Sequence, residues 1–548
     1  MTLPRQFASA ALIVLVFAAG THHAFAQAAD TADATNAADA GVRDPCPPSL
    51  APVALGTAEW NGWGRDLQNS RYQPEPALRA IDVPKLALKW AYGLSPAAHY
   101  GQPTVVGGRL FVTSSSGRVY SLDSTTGCTN WIFDAAADAG TSIVVGALGH
   151  PKVVERRARR SWRRKWRRRW HRYAYRWRTN AHIEVIEPPS AVFFGDHQGN
   201  VYALDAEKGG LLWKTPIGSA AAARVTGPPT LYGDRLYVPL ATEEPPAAPN
   251  PATACCVLHY SVAALDIATG ALLWRTEIPG AQSVAPPAAL ASMPVGGAPT
   301  VDPKRGVIYL AAASSAAIVA LNLDDGKQRW LRALAGSGPA RTQRVFGNSP
   351  ILQTLANGRQ VLLTGEQGGV VFSLDPDRDG ALLWRTRVLR GGVGGGVEWS
   401  PAADHRKVYV AVADPAPGAR DDRGALAALD IASGEMRWIM PSPSPKCASV
   451  DPACARNHAQ AVTVMPGIVF CGSIDGHLRA YSTIDGLQVW DFDTEREFTT
   501  VNGLPARGST LGGGGATIVG GMVYINSGND TEKGGPGNVL LAFSVDGK

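Results

Sequence analysis

Leu541-Ala542-Phe543-Ser544-Val545-Asp546-Gly547-Lys548 opens a motif without its closing residue. Elsewhere the same motif runs apolar-Leu-Asp, a short turn, Gly, then Trp four residues on. It reads Leu204-Asp205/Gly209/Trp213, Leu265-Asp266/Gly270/Trp274 and Leu429-Asp430/Gly434/Trp438. Further copies are Leu122/Gly127/Trp131, Leu321/Gly326/Trp330 and Leu374/Gly380/Trp384, with a degraded one at Tyr481/Gly486/Trp490. The tryptophan missing from 541–548 is available in Leu88-Lys89-Trp90. Seven complete copies and one split copy make eight units. The split predicts that the two regions pair with each other.

Each copy follows a strand-like run such as Leu110-Phe111-Val112, Val307-Ile308-Tyr309-Leu310 or Met522-Val523-Tyr524-Ile525. From Trp274 onward the tryptophans stand 56, 54, 54 and 52 residues apart. A period near 50, with β-branched runs and Gly-rich turns, predicts an all-β, eight-bladed β-propeller over residues 60–548. The glycine supplies a turn with positive φ. The tryptophan is expected to lie flat between neighbouring sheets, where one ring buries roughly 150–250 Å².

Residues 1–26 read as a secretory signal, with Arg5 ahead of an apolar run from Ala8 to Ala19 and Ala24-Phe25-Ala26 as the cleavage site. That places the chain in the periplasm or outside the cell, where disulfides persist. Residues 27–59 are rich in Ala, Asp and Pro and read as a flexible linker. There are seven cysteines. Cys447 and Cys454 flank a short loop and are expected to pair. Cys255 and Cys256 are adjacent. Cys46, Cys128 and Cys471 carry no assignment from spacing, a Cys46–Cys128 bridge being one option. No C-x-x-C-H occurs, so no c-type haem is attached, and no zinc spacing is present.

Trp131 to Trp213 spans 82 residues, about 30 beyond the period. The excess lies in residues 152–178, with 14 Lys/Arg and the single acid Glu155. The chain is +6 overall and this segment alone +13, so the remainder is −7. Trp162, Trp166, Trp170, Tyr173 and Trp177 would share one face of a helix, with Arg160, Arg163 and Arg167 among the cations around it. Such a rod suits an anionic membrane or an envelope polyanion. A self-repelling, low-complexity loop is the alternative reading. Export argues against nucleic acid as partner.

The Ala-Leu-Asp-x-x-x-Gly-x-x-x-Trp repeat resembles that of pyrroloquinoline quinone (PQQ) propellers. Within the PQQ-dependent dehydrogenases, the chain is most similar to the polyvinyl-alcohol dehydrogenase family. The resemblance rests on Trp60-Asn61-Gly62-Trp63-Gly64-Arg65-Asp66, Asn69-Ser70-Arg71-Tyr72-Gln73, Cys255-Cys256, Gly472-Ser473-Ile474-Asp475-Gly476-His477, Thr500-Val501-Asn502-Gly503 and Gly537-Asn538-Val539. It implies PQQ in the axial cavity, a Ca²⁺ ion held by hard oxygens, a positioned base and hydride transfer from an alcohol, secondary or polymeric. Carried over, it implies a Cys255–Cys256 disulfide capping the ring, Arg224 on a quinone carboxylate, Trp399 stacking, Asn502 lining the cavity and Glu243 or Glu244 at the metal. No catalytic base is assigned. A separate cytochrome c or other acceptor would take the electrons.

The chain also departs from that pattern. Ala311-Ala312-Ala313-Ser314 stands where the family carries Gly-Thr-Gly-Asn and a short excursion. Arg341 and Arg344 stand where acidic residues are expected. These losses predict weak Ca²⁺ binding and slow turnover. They keep a second reading open, a catalytically degenerate propeller acting as a binding or envelope-assembly scaffold.

Overall fold

The computed structural model describes residues 45–47, most of 53–59, and the chain from 60 onward. Outside the described residues lie 158–180, 219–222, 245–255, 286–296, 313–316, 335–347, 390–395, 414–423, 443–459, 529–536 and a few isolated positions. Eight antiparallel blade sheets follow one another as meanders, seven of four strands and one of five. Blade 1 comprises Thr104–Val106, Arg109–Thr113, Arg118–Asp123 and Thr129–Asp134. Blade 2 comprises Val144–Ala147, Ser190–Gly195, Asn200–Asp205 and Leu211–Pro216. Blades 3 to 7 start at Ala223, Thr300, Ile351, Ala402 and Thr463. In blade 3 the inner edge is split, Ala223–Val225 and Thr230–Tyr232 both pairing with Arg235–Glu244.

Blade 8 is Thr517–Val519, Met522–Ser527 and Val539–Val545, completed by Leu86–Gly93. Trp90 pairs with Ala542 and Leu88 with Phe543. The N-terminal strand therefore supplies the outer edge of the last blade, as the split motif requires, and no blade is left unpartnered.

The signature glycine and tryptophan meet across blades. A Cβ at Gly209 would stand 2.6 Å from the Trp131 ring, at Gly326 2.4 Å from Trp274, and at Gly434 2.5 Å from Trp384. At Gly127 it would stand 2.8 Å from Trp90, so the same contact seals blade 8 to blade 1. These glycines have φ near +70°, so a side chain would be strained as well as crowded out. Most of the rings also donate to a neighbouring carbonyl, as Trp131 Nε1 to Ala206 (3.1 Å) and Trp490 Nε1 to Leu86 (3.0 Å).

The meander gives the ring two faces. One carries the turns inside each blade from strand one to two and three to four. The other, here the rim, carries the two-to-three turns and the links between blades. The basic insertion leaves from the turn-bearing end of blade 2. Its stem is a hairpin of Lys152–Arg157 with Ala181–Ile186, while Val144–Ala147 pairs directly with Ser190–Gly195. The insertion thus interrupts no blade. Lys152–Arg157 is strand rather than helix, because the hairpin's own ladder satisfies its backbone. Arg160, Trp162, Arg163, Trp166, Arg167, Trp170 and Trp177 lie outside the described residues.

In the N-terminal region one open option is realised and the flexible-linker reading is corrected at its end. Cys46 and Cys128 form a disulfide, and Cys46 N–H donates to Thr129 (2.9 Å). Val53 is buried against blades 1 and 2. The end of the 27–59 stretch is therefore strapped to the propeller rather than free. Cys471 is a free buried thiol, whose pKa burial pushes up to about 12. The Cys46–Cys128 bridge spans 82 residues, and losing it should cost about 2–4 kcal/mol through the unfolded chain. Cys46→Ser should melt lower than the parent in oxidising buffer. In a strong reductant the two melting curves should coincide.

Candidate cofactor channel

Trp60 to Gln73 winds around the inner edges of the blades in order. Trp60 bridges Val105 in blade 1. The Asn61 side chain donates to the Val145 carbonyl (2.7 Å) and accepts from its N–H (2.8 Å) in blade 2. The carbonyls of Leu67, Gln68 and Ser70 accept from Val301, Leu352 and Ala403 of blades 4, 5 and 6 (2.8, 3.0 and 2.9 Å). Arg71 and Gln73 bond Val464 of blade 7, and the Gln73 amide donates to Ile518 of blade 8 (2.8 Å). One short segment thus engages seven inner strands. It leaves by the turn-bearing face, where Gly521 N–H donates to Pro76 (2.8 Å), and plugs that end of the channel.

Arg71 holds the plug. Its buried guanidinium donates to the carbonyls of Val462 and Trp63 (both 2.6 Å), to Gln102 Oε1 (2.8 Å) and to Thr463 Oγ1 (3.2 Å). It also lies 4.9 Å from the centre of the Trp63 ring. Burial pushes its pKa down to about 9, which leaves it cationic at neutral pH.

Above the plug sits an aromatic floor. The Trp63 and Trp399 rings are 6.0 Å apart at 41°. Trp63 Nε1 donates to Ser400 Oγ (2.9 Å), and both rings pack with Ala298 and Ala461. These neighbours lead into blades 4, 6 and 7, so the ring pair lies near the axis. Trp399 precedes the inner strand Ala402–Ala403 on the rim side and is only half-buried.

Blade 3 brings four of the expected residues to one rim end. Arg224 pairs with Ala241, Glu243 with Leu258, Glu244 with Val257 and Cys256 with Ala285. Two of these strands flank residues 245–255, which, Cys255 included, lie outside the described residues. Cys447, Cys454, Ser314, Arg341 and Arg344 lie outside them as well. A cavity of about 170 Å³ near Trp63, Asp66, Asn69 and Thr230 occupies the plugged end instead. It is smaller than the roughly 300–1,000 Å³ of cofactor pockets and adjoins the far half of the blade 3 inner edge from Arg224.

Asn502 is a correction. Its Oδ1 accepts from Gly93 N–H (3.0 Å) and its Nδ2 donates to the Gly93 carbonyl (2.8 Å). Both bonds go to the end of the closing strand, the outer edge of blade 8 and far from the axis, so the side chain serves ring closure rather than a cofactor.

One cluster had no signal in sequence. His99, Asp138 and His197 converge on the rim between blades 1 and 2, one ligand atom from each lying within 4.8 Å of the others. Burial works against the Asp138 carboxylate, but the His197 hydrogen bond and attraction to both imidazoles outweigh it and hold its pKa below the usual range. Their separations of 39 and 59 residues match no local ligand motif. Only the placement of His197 in a two-to-three turn, Gly195-Asp196-His197-Gln198-Gly199, could have pointed to the rim.

Comparison with known proteins now decides the family. The chain is 37% identical over 92% of its length to a polyvinylalcohol dehydrogenase from Pseudomonas sp, covering 80% of that protein. It is 35% identical, again over 92%, to the polyvinylalcohol dehydrogenase of Sphingopyxis sp. (strain 113P3), covering 79% of it. The chain belongs to the polyvinyl-alcohol dehydrogenase family. A family model described as "Glucose/ethanol/alcohol dehydrogenase, beta-propeller domain" matches residues 60–209. Another, "Outer membrane protein assembly factor BamB", matches 150–375 and 367–530. The quinohemoprotein alcohol dehydrogenase of Comamonas testosteroni superposes with a TM-score of 0.63 at 17% identity, over 90% of this chain and 81% of that one, which shows a shared fold. For this polyvinyl-alcohol dehydrogenase relative, Trp399→Ala should weaken PQQ binding roughly tenfold, about 1.4 kcal/mol, through loss of ring contact. An absorbance titration with PQQ in Ca²⁺ buffer would measure it, with the melting temperature expected to stay close to the parent's.

Proposed function

We propose that the protein is an exported PQQ-dependent alcohol dehydrogenase that oxidises secondary hydroxyls, including those of polymeric alcohols. The carrying observation is the propeller axis, plugged at one end by residues 60–73 and floored there by Trp63 and Trp399. The residues fit the cofactor's chemistry. Trp399 offers a flat, half-exposed apolar face. Arg224 offers a cation for a carboxylate. Glu243 and Glu244 offer hard oxygens for Ca²⁺, and Cys256 with Cys255 offers a disulfide cap. PQQ, when bound, supplies the two-electron acceptor for hydride from the alcohol carbon. The chain's own part is to orient that ring and to shut water out from below. The Cys46–Cys128 disulfide supports work in an oxidising compartment such as the periplasm. A separate cytochrome c or equivalent acceptor fits a sequence without C-x-x-C-H.

One observation tempers the expected rate. Ala312 pairs with Ala317 in blade 4, so only four residues join those strands and the family's excursion has no room there. Waters can replace a lost neutral ligand in a site of six to eight oxygens, at a cost in affinity. PQQ binding should therefore survive better than turnover.

The test is reconstitution of the purified full-length chain with PQQ and Ca²⁺. The expected result is a changed PQQ absorbance and slow dye reduction with polyvinyl alcohol and small secondary alcohols. Arg224→Ala should weaken the PQQ spectrum change. No spectral change with Ca²⁺ in excess would reject the dehydrogenase reading in favour of a scaffold.

The same proposal gives the insertion a partner, an anionic lipid surface. Replacing 158–180 by a short turn removes eleven Lys/Arg and no acid, taking the net charge from +6 to −5. The fold should survive, because blade 2 pairs without the insertion. Sedimentation with phosphatidylserine vesicles at low salt should fall steeply; equal sedimentation of both forms would reject the membrane role.

A further inference from the structure

We propose that His99, Asp138 and His197 form a binding site for a divalent transition-metal ion of the zinc class, separate from any Ca²⁺ held at blade 3. The site is assembled from three rim segments. His99 lies in the link from the closing strand to blade 1, Asp138 in the link from blade 1 to blade 2, and His197 in the two-to-three turn of blade 2.

The backbone holds these segments together independently of any ion. His197 N–H donates to the Asp138 carbonyl (2.8 Å). Ser115 N–H donates to the His99 carbonyl (2.9 Å), and His99 N–H donates to Ser115 Oγ (3.1 Å). Gly140 N–H donates to Asp138 Oδ1 (3.0 Å), fixing the carboxylate's rotation. Gly140 also makes the room for His99, since a Cβ there would stand 2.3 Å from its Nε2. The ring is thus seated by a missing side chain.

The donor spacing fits an ion. Asp138 Oδ2 is 3.0 Å from His197 Nδ1, and Asp138 Oδ1 is 3.6 Å from His99 Nε2. Tetrahedral bonds of about 2.0–2.2 Å put neighbouring ligand atoms roughly 3.3 Å apart. Each imidazole thus faces its own oxygen of the one carboxylate at close to that spacing, and one ligand atom from each residue lies within 4.8 Å of the others. The imidazoles, with ring centres 5.8 Å apart, close the third edge by small side-chain rotations. The side chains keep 31, 27 and 22% of their surface for His99, Asp138 and His197. An ion therefore has access, and a fourth position stays open to water or an alcohol oxygen.

The donor set names the class. Two imidazoles and one carboxylate suit Zn²⁺, Co²⁺, Ni²⁺, Cu²⁺ or Fe²⁺, whereas Ca²⁺ and Mg²⁺ take oxygen ligands. The chemistry at blades 1 and 2 is thus orthogonal to the calcium chemistry expected at blade 3. A bound ion would tie together two links and a turn otherwise joined by a few hydrogen bonds, and stabilise the fold by mass action.

The experiment uses the full-length protein stripped with chelator, with Co²⁺ as the spectroscopic probe and Zn²⁺ for calorimetry. One ion should bind per chain, Co²⁺ should develop visible d–d absorption, and Zn²⁺ should raise the melting temperature where equimolar Ca²⁺ does not. His197→Gln and Asp138→Asn should each weaken Zn²⁺ binding at least tenfold. Should either variant fold poorly, the parent protein supplies a second readout. Saturating Zn²⁺ should shield His99 and His197, but not the exposed His405, from imidazole acylation mapped by mass spectrometry. Unchanged Zn²⁺ affinity in the variants, equal acylation with and without Zn²⁺, or no binding of Co²⁺ and Zn²⁺ at millimolar concentration would each overturn the site.

Discussion

The fold depends on the contact between an outer tryptophan and the glycine of the next blade, made at seven of the eight junctions, while at the eighth Trp490 donates to the Leu86 carbonyl. A glycine at positive φ leaves a flat backbone patch, and an indole covers it. Burial of one such ring is worth on the order of 4–6 kcal/mol as an upper bound. The contact closes only if every blade is present, because Trp90 from the N-terminal strand rests on Gly127 of blade 1. Stability is therefore a property of the whole ring rather than of any blade. Asn502, clamping Gly93, adds hydrogen bonds at the one junction that is not continuous in sequence.

With the ring closed, one chain segment defines what the channel can do. The plug takes up polar groups on seven inner strands, so the axis becomes a pocket with a floor rather than a pore. Trp63 belongs to the plug and Trp399 to blade 6, yet they make one surface. The links between blades, which vary in length, lie on the face away from the plug. Blade 3 gathers Arg224, two glutamates and Cys256 toward one end, while the links around blades 1 and 2 gather the imidazoles.

What the sequence disclosed and what it hid follows from distance along the chain. The Trp–Gly signature is periodic, so its physical role was legible, including the split copy at Leu88-Lys89-Trp90. The family resemblance rests on short blocks and was confirmed for the same reason. The role of Asn502 was hidden because its partner, Gly93, lies 409 residues away. Cys46 and Cys128 looked unassigned because partner choice among seven cysteines is a three-dimensional matter. The Trp60–Gln73 block was legible as a family opening but not as a plug, since its hydrogen bonds are spread over seven blades far apart in sequence. His99, Asp138 and His197 were invisible for the same reason, each sitting alone in its own loop.

The plug also sets an order of events. Gln73 is bonded to Ile518, 445 residues later, and Arg71 to Val462, 391 residues later. A chain made from its N-terminus emits these residues first and must wait for nearly everything else before they can dock. Until then the aromatic plug and the unpaired closing strand stand exposed, which is the situation most prone to wrong partners. A protein that crosses a membrane unfolded and then folds with its whole length available avoids that interval. The architecture is thus better matched to folding after synthesis than during it.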